Sequence, residues 1–200
     1  MRARLFLNVA TAMLMLSATS GALVAAQGAS GSCDRACLNG FVDQYVAALA
    51  ARDPSRLPLT PAARYTENGV TLKLGDGMWG PVITPGKYRL SFADPRAGQV
   101  GAFVTLEEHG HPAILGIRLK VENRRISEME AVIIRSTARG GFAAPQDLVD
   151  KPIFSQPLAP SERRPREELV RVANSYFEGL EQATEKLTPF DKNCSASRTV

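Results

Sequence analysis

The sequence predicts an α+β domain in which one long N-terminal helix packs on a curved antiparallel sheet. Two observations lead to this prediction. Apolar residues recur with helical spacing over about residues 34–52, and after Gly86 β-rich segments alternate with turn sequences. Because the helical and strand patterns follow one another in separate blocks, they are typical of an α+β rather than an α/β domain.

The helix is predicted from apolar residues at positions i, i+3, i+4, i+7, i+8 and i+11. These residues are Leu38, Phe41, Val42, Tyr45, Val46 and Leu49. The spacing places them on one helix face, which we expect to cover the core. Asp34 is the predicted N-cap. Asp53 followed by Pro54 ends the helix, because the residue before a proline avoids helical backbone angles.

Strands are predicted between the helix and residue 136. Two short strands come first, at 64–67 and 70–74. Four further strands form a meander, at about 87–93, 99–109, 113–122 and 126–136. The segments that separate these four are rich in Gly, Pro, Asn and Asp, which favour tight turns.

The last predicted hairpin has a register that its own residues favour. A three-residue loop that pairs Glu122 with Ile126 brings apolar side chains together on one face and opposite charges together on the other. The resulting pairs are Leu119–Met129, Ile117–Ala131, Leu115–Ile133, Lys120–Glu128 and Arg118–Glu130. A two-residue loop would instead set Leu119 against Glu128, so we predict the first register.

The N-terminus has the pattern of a secretory signal peptide. Arg2 and Arg4 precede an apolar run over residues 5–16, and small residues follow up to Ala26. We expect residues 1–26 to be removed after Ala26, which leaves about 174 residues, enough for one domain. The sequence therefore predicts a secreted or periplasmic protein with no membrane segment beyond the signal peptide.

Charge and composition exclude several classes of function. Without Arg2 and Arg4 the chain has 22 basic and 20 acidic residues, and they are interspersed. A nucleic-acid partner would need a clustered basic face, so none is expected. Two histidines and three cysteines match no zinc spacing, and we expect no metal or other cofactor. An exported chain can form disulfides, but three cysteines leave the pairing open.

A second helical pattern covers about residues 165–187, after a Gly- and Pro-rich linker over 138–165. Its Tyr176-x-x-x-Leu180 repeats Tyr45-x-x-x-Leu49 of the first helix. Residues 166–200 are therefore either the start of a truncated second copy in tandem or a helix that packs on the first domain. Cys194 would be left for a partner further along in the first case.

Several motifs resemble those of an uncharacterised exported family that carries a cone-shaped, SnoaL-like or nuclear-transport-factor-two-like domain, sometimes in tandem. They are Thr66-Glu67-Asn68-Gly69, Leu74-Gly75-x-Gly77-x-Trp79, Asp94-Pro95-x-x-Gly98-Gln99-Val100 and Ile126-Ser127-Glu128-Met129-Glu130. The resemblance covers residues 33–137. It implies a pocket between the helix and the concave sheet face. Relatives of this kind include isomerases, dehydratases, polyketide cyclases and proteins that only bind.

Within such a pocket, Glu67 is the candidate general base and Asn68 would polarise a carbonyl. Tyr65 and Trp79 are the candidate ligand-binding aromatics. The competing interpretation is that Asn68-Gly69 forms a tight turn and that Trp79 anchors its loop on the core.

Arg118 and Glu130 form the second candidate pair, which would act beside Glu67 if their face lines the pocket. Their alternative is an ordinary cross-strand ion pair on a solvated face. We therefore expect an exported binding or interaction module with a small-molecule pocket. The alternatives are a cofactor-free lyase or isomerase, and a homodimer or tandem scaffold that associates through the outer sheet face.

Overall fold

The computed structural model describes residues 32–135 and 144–190, and in them a six-stranded sheet and two helices. The elements are α1 (Arg35–Ala50), β1 (Leu59–Glu67), β2 (Val70–Leu72), β3 (Ile83–Asp94), β4 (Gln99–Glu108), β5 (His111–Glu122), β6 (Arg125–Arg135) and α2 (Arg166–Glu181). The predicted α+β class is thereby confirmed. The predicted signal peptide over residues 1–26 and Cys194 lie outside the described residues.

The helix α1 begins as its N-cap predicts. Asp34 Oδ1 accepts a hydrogen bond of 2.8 Å from the backbone N–H of Cys37. Cys33 forms a disulfide with Cys37, with their Cα atoms 5.3 Å apart. Because Cys33 lies before the N-cap, in extended chain, the bond forms without distorting the first helical turn. Neither α1 nor α2 is long and apolar enough to cross a membrane.

The strands follow one another in the sheet in the order β2-β1-β6-β5-β4-β3. Every neighbouring pair is antiparallel except β1 and β6, which run parallel. The predicted all-antiparallel sheet is therefore wrong at this one pair. The β3–β6 meander leaves one edge of β6 free, and β1 pairs there in the same direction as β6.

The last hairpin has the predicted register but a different loop. Leu119 lies opposite Met129 and Arg118 opposite Glu130, as predicted. The loop, however, is a two-residue turn of Asn123 and Arg124, both at positive φ. This turn matches the twist of a hairpin, and a register shift directly after Lys120 absorbs the extra residue of β6.

Alternation along β4, β5 and β6 divides the sheet into two faces. The inner face is apolar and is covered by α1. It includes Val100, Val104, Leu115, Leu119 and Met129, all buried. Residues between them in sequence lie on the opposite, outer face.

The two edges of the sheet are poor templates for another strand. β2 at one edge has three residues. β3 at the other edge contains Pro85, which donates no backbone hydrogen bond, and its register with β4 shifts between Pro85 and Arg89.

Residues 144–165 form a strap whose first turn contacts β5, β4 and β3 and whose later part lies beside β3. Near its start Gln146 lies beside Pro85, and further on the ring of Phe154 packs edge to face on that of Phe92. At its end Arg166 forms an ion pair with Asp94. The described part of the predicted linker, residues 144–165, thus packs on the sheet and contains three short 3-10 turns.

The helix α2 exposes the residues that correspond to the buried face of α1. Tyr45 and Leu49 are fully buried, whereas Tyr176 is 44 % and Leu180 is 61 % exposed. Among the described residues, the Arg166–Asp94 ion pair is the one side-chain ion pair that joins α2 to the sheet. The apolar face of α2 therefore contributes little to the stability of the preceding domain.

We predict that Leu49→Asp and Leu180→Asp differ sharply in stability. Leu49→Asp places a charge in the core and should lower the free energy of unfolding by about 3 kcal/mol or more. Leu180→Asp should change it by less than about 0.5 kcal/mol. Urea unfolding followed by Trp79 fluorescence measures both. A large loss in Leu180→Asp would instead mean that α2 packs on the domain.

Candidate functional site

Glu67 is the last residue of β1, and its carboxylate connects this strand to the glycine-rich loop. Its Oε2 accepts hydrogen bonds of 2.8 Å from the Tyr65 hydroxyl and of 2.8 Å from the backbone N–H of Met78. Gly77 has φ +64°, and a Cβ at this position would clash with Glu67 Oε2. The loop can therefore approach Glu67 closely because Gly77 has no side chain.

Three aromatic side chains surround this carboxylate on the inner face. Tyr45 and Trp79 pack edge to face with ring centroids 5.4 Å apart, and Tyr65 is buried beside them. In the described part of the chain, the Tyr45 hydroxyl and Trp79 Nε1 are buried without a hydrogen-bond partner in good geometry.

Both tyrosines of the cluster are held neutral. Burial is the main cause that raises the pKa of the Tyr45 phenol, and the nearby Glu67 charge raises it further. The pKa of Tyr65 is raised by burial first, then by its neighbours Tyr45 and Glu67. Each phenol is therefore a hydrogen-bond donor and not a base at any ordinary pH.

The polar groups of Asn68 form hydrogen bonds with the backbone of β6. Its N–H donates to Ala131 O at 2.8 Å, and its Oδ1 accepts from the N–H of Ile133 at 2.9 Å. With φ +48° it forms the tight turn to β2 together with Gly69. In this position Asn68 extends the parallel pairing of β1 and β6, and its amide oxygen is occupied.

Arg118 and Glu130 lie on the outer face, on the opposite side of the sheet from Glu67. Arg118 donates from Nε to Glu130 at 2.6 Å and from Nη2 to Glu128 at 2.7 Å. Arg64 donates to the other oxygen of Glu128 at 2.8 Å. The structure therefore brings Tyr65, Glu67 and Trp79 together but separates them from Arg118 and Glu130.

These charges belong to a ladder that crosses β1, β5 and β6. The ladder consists of Arg64, Arg118, Lys120, Glu122, Glu128 and Glu130. Hydrogen bonds from Arg118, and then from Arg64, lower the pKa of Glu128 from 4.5 to about 2. The ladder is thus fully ionised and paired at neutral pH.

An apolar strip borders the ladder on the outer face. It consists of Phe92, Phe103, Gly116, Val132 and Ile134, from four neighbouring strands. Phe92, Phe103 and Val132 are each about half exposed, at 49 %, 50 % and 50 %. A shallow groove of about 260 Å³ runs along the strip where Leu148 of the strap adjoins it. Such a contiguous apolar surface is typical of an interaction site.

The strip is not among the predicted sites, although the alternation of residues along the strands contains it. On β6 the outer positions change from Glu128 and Glu130 to Val132 and Ile134, and on β5 they change from Arg118 to Ile114. The loss of polar residues at alternate positions toward one end of a hairpin is the signal that would have found it.

Metal-binding groups are not clustered in the described ranges. Residues 32–135 and 144–190 contain no group of three or more His, Cys, Asp and Glu side chains placed to hold a metal ion. His109 and His111 lie at the tip of the turn between β4 and β5.

No family model and no curated protein matches this chain. Among solved structures, a candidate ketosteroid isomerase from Kribbella flavida is similar at 13 % identity and a TM-score of 0.40, over 58 % of this chain and 90 % of that one. AclR, a candidate hydroxylase from Streptomyces galilaeus, is similar at 16 % identity and a TM-score of 0.39, over 50 % of this chain and 80 % of that one. A protein of unknown function with a cystatin-like fold from Methylobium petroleophilum is similar at 14 % identity and a TM-score of 0.41, over 67 % of this chain and 99 % of that one. Likenesses of this strength do not identify a function.

We predict that Glu67 is important for stability through its acceptor oxygen. Glu67→Ala leaves the Tyr65 hydroxyl and the Met78 N–H unpaired and should lower the free energy of unfolding by about 2–4 kcal/mol. Glu67→Gln keeps an acceptor oxygen and should cost about 1 kcal/mol. Urea unfolding of both variants measures the difference. Equal losses in the two variants would contradict the role given to the hydrogen bonds.

Acid should weaken the fold through Glu128. Its folded pKa of about 2 lies below the ordinary value of 4.5, so its stabilising contribution is present above pH 4.5 and is lost as the pH falls toward 2. The free energy of unfolding should decline over this window. In Glu128→Gln the decline should be shallower, and an unchanged slope would contradict the assignment.

Proposed function

We propose that this domain is an interaction module that associates with a second copy of itself through its outer sheet face. The observation that supports the proposal is the half-exposed apolar strip of four strands beside a paired charge ladder. Aromatic and aliphatic side chains at the centre with polar groups at the rim are the usual composition of a protein–protein interface.

The charges of the ladder favour a second copy as the partner. The ladder has three basic and three acidic side chains, so it has no net charge to repel an identical ladder. In a two-fold symmetric contact the same patch meets itself, and basic groups of one copy would face acidic groups of the other.

The size of the face is sufficient for such a contact. Five of the strands are nine to twelve residues long. At about 4.8 Å per strand and about 3.3 Å per residue, they span roughly 800 Å². A stable interface buries about 800 Å² on each partner. The strap covers the β3 side of the face, which places the free area at the lower end of that range.

We further propose that the fold is the cone-shaped, SnoaL-like one, in a protein exported after removal of residues 1–26. The motifs over residues 33–137 and the single helix over one face of the sheet support this assignment. The exposed face of α2 supports the view that residues 166–200 begin a second copy, because the equivalent side chains of α1 are buried against a sheet.

The alternative function is a cofactor-free lyase or isomerase with Glu67 as general base. Its support is that the described hydrogen bonds reach Oε2 of Glu67 and leave Oε1 available. Against it, Tyr45, Met78 and Trp79 fill the space between α1 and the inner face where a substrate would bind. Arg118 also lies across the sheet from Glu67. An interaction module therefore agrees better with the geometry.

We predict that the protein is a dimer in solution at about 100 μM and that Val132→Lys makes it monomeric. The substitution puts a charge in the centre of the strip, where it would be desolvated on association. Sedimentation equilibrium measures the mass of each form. Val70→Lys is the matched control, because Val70 is 59 % exposed on β2, away from the strip, and should leave the mass unchanged.

Two results would contradict this proposal. One is a monomeric native protein at the highest soluble concentration. The other is a dimer that Val132→Lys does not weaken although Val70→Lys does, since the contact would then lie at the β2 edge.

A further inference from the structure

A second surface feature lies beside α1 and belongs neither to the aromatic cluster nor to the apolar strip. It is a cleft of about 770 Å³ between α1, β3 and the strap, which we call the strap cleft. Arg35, Asn39 and Asp43 line it from α1, residues 89–91 from β3, and residues 150, 151 and 154–157 from the strap. Its volume lies within the range of about 300–1,000 Å³ that is usual for small-molecule sites.

The strap cleft presents unpaired charges of both signs. Arg89 forms an ion pair with Asp43, so these two side chains neutralise each other. Arg35 and Lys151, in contrast, have no ion-pair partner among the described residues, and neither has Asp150. Two basic groups and one acidic group are therefore free to bind a ligand that carries the opposite charges.

The same cleft has an apolar wall and a buried acceptor. Leu90 and Phe154 contribute apolar surface, and the packing of Phe154 on Phe92 fixes the position of its ring. Asn39 Oδ1 is buried and accepts no hydrogen bond from a described residue.

These features restrict the ligand class. Arg35 and Lys151 offer partners for a carboxylate, and Asp150 offers a partner for an ammonium group. A molecule with a carboxylate, an ammonium group and an apolar side chain has a partner for each group in the cleft. We propose that the strap cleft binds a zwitterionic amino acid or short peptide with an apolar side chain. This binding site is separate from the outer face and does not depend on self-association.

L-phenylalanine and two derivatives test the charge requirements. N-acetyl-L-phenylalanine lacks the ammonium group, and L-phenylalanine amide lacks the carboxylate. Titration of the ¹⁵N-labelled protein should shift the backbone amides of Leu90, Ser91 and Ser155, which line the cleft. L-phenylalanine should bind at least about tenfold more tightly than either derivative, because each derivative loses one charge-assisted contact.

Variants assign these contacts to side chains. Lys151→Gln and Asp150→Asn should each weaken L-phenylalanine binding about tenfold. Lys151→Gln should not weaken binding of the amide, and Asp150→Asn should not weaken binding of the N-acetyl derivative, because each compound lacks the group that the substituted side chain would bind. The control is Lys73→Gln, an exposed lysine outside the cleft, which should leave all three affinities unchanged.

The outcomes separate this proposal from the dimer. The same titration with Val132→Lys should give unchanged affinities, since the strip does not line the cleft. No shift at about 10 mM L-phenylalanine would overturn the proposal, as that excludes even millimolar binding. Equal affinity for the three compounds, or an equal effect of Lys73→Gln and Lys151→Gln, would also overturn it.

Discussion

Leu38, Phe41 and Tyr45 leave water together when α1 packs on the inner face of the sheet. Burial of each large side chain contributes about 1.5–3 kcal/mol, which makes this contact the main source of order in the domain. The position of Trp79 follows from it, because its ring packs on Tyr45. Glu67 then joins the Trp79 loop to β1 through the N–H of Met78. The packing of the helix on the sheet therefore determines where the side chains of the aromatic cluster lie.

The helix α1 covers only the inner face of the sheet. The outer face is therefore partly covered by the strap and partly kept polar by the ladder. The strap covers the margin at β3, and the ladder keeps the β1 side polar with its charges paired. Between them the strip stays about half exposed, and this exposed apolar surface is what distinguishes the outer face from an ordinary solvated one. The strap has a second effect, since its passage beside α1 also creates the cleft. One segment without regular secondary structure thus shapes both candidate binding surfaces.

Local patterns in the sequence were sufficient for the helix, the meander and the register of the last hairpin, because each depends on neighbours along the chain. The parallel pairing of β1 with β6 depends on residues about sixty positions apart and has no local signal. Among the candidate residues, the structure brings Tyr65, Glu67 and Trp79 together, since Tyr65 and Glu67 share a strand face. Arg118 and Glu130 lie on the other face, as their interpretation as a cross-strand ion pair expects, because the apolar side of the last hairpin packs on the core. The strap cleft was missed because a linker's path over a sheet is decided by tertiary contacts.

The edges of the sheet limit how copies of this protein can assemble. Strand addition at an edge is open-ended, since each added chain presents a new edge to the next one. β2 is too short for it, and the proline and register shift in β3 interrupt the row of hydrogen-bonding groups that a new strand would need. Contact through a face, in contrast, is complete once two copies meet. The same features that blunt the edges therefore direct this chain toward closed assemblies of defined size and away from fibrous ones.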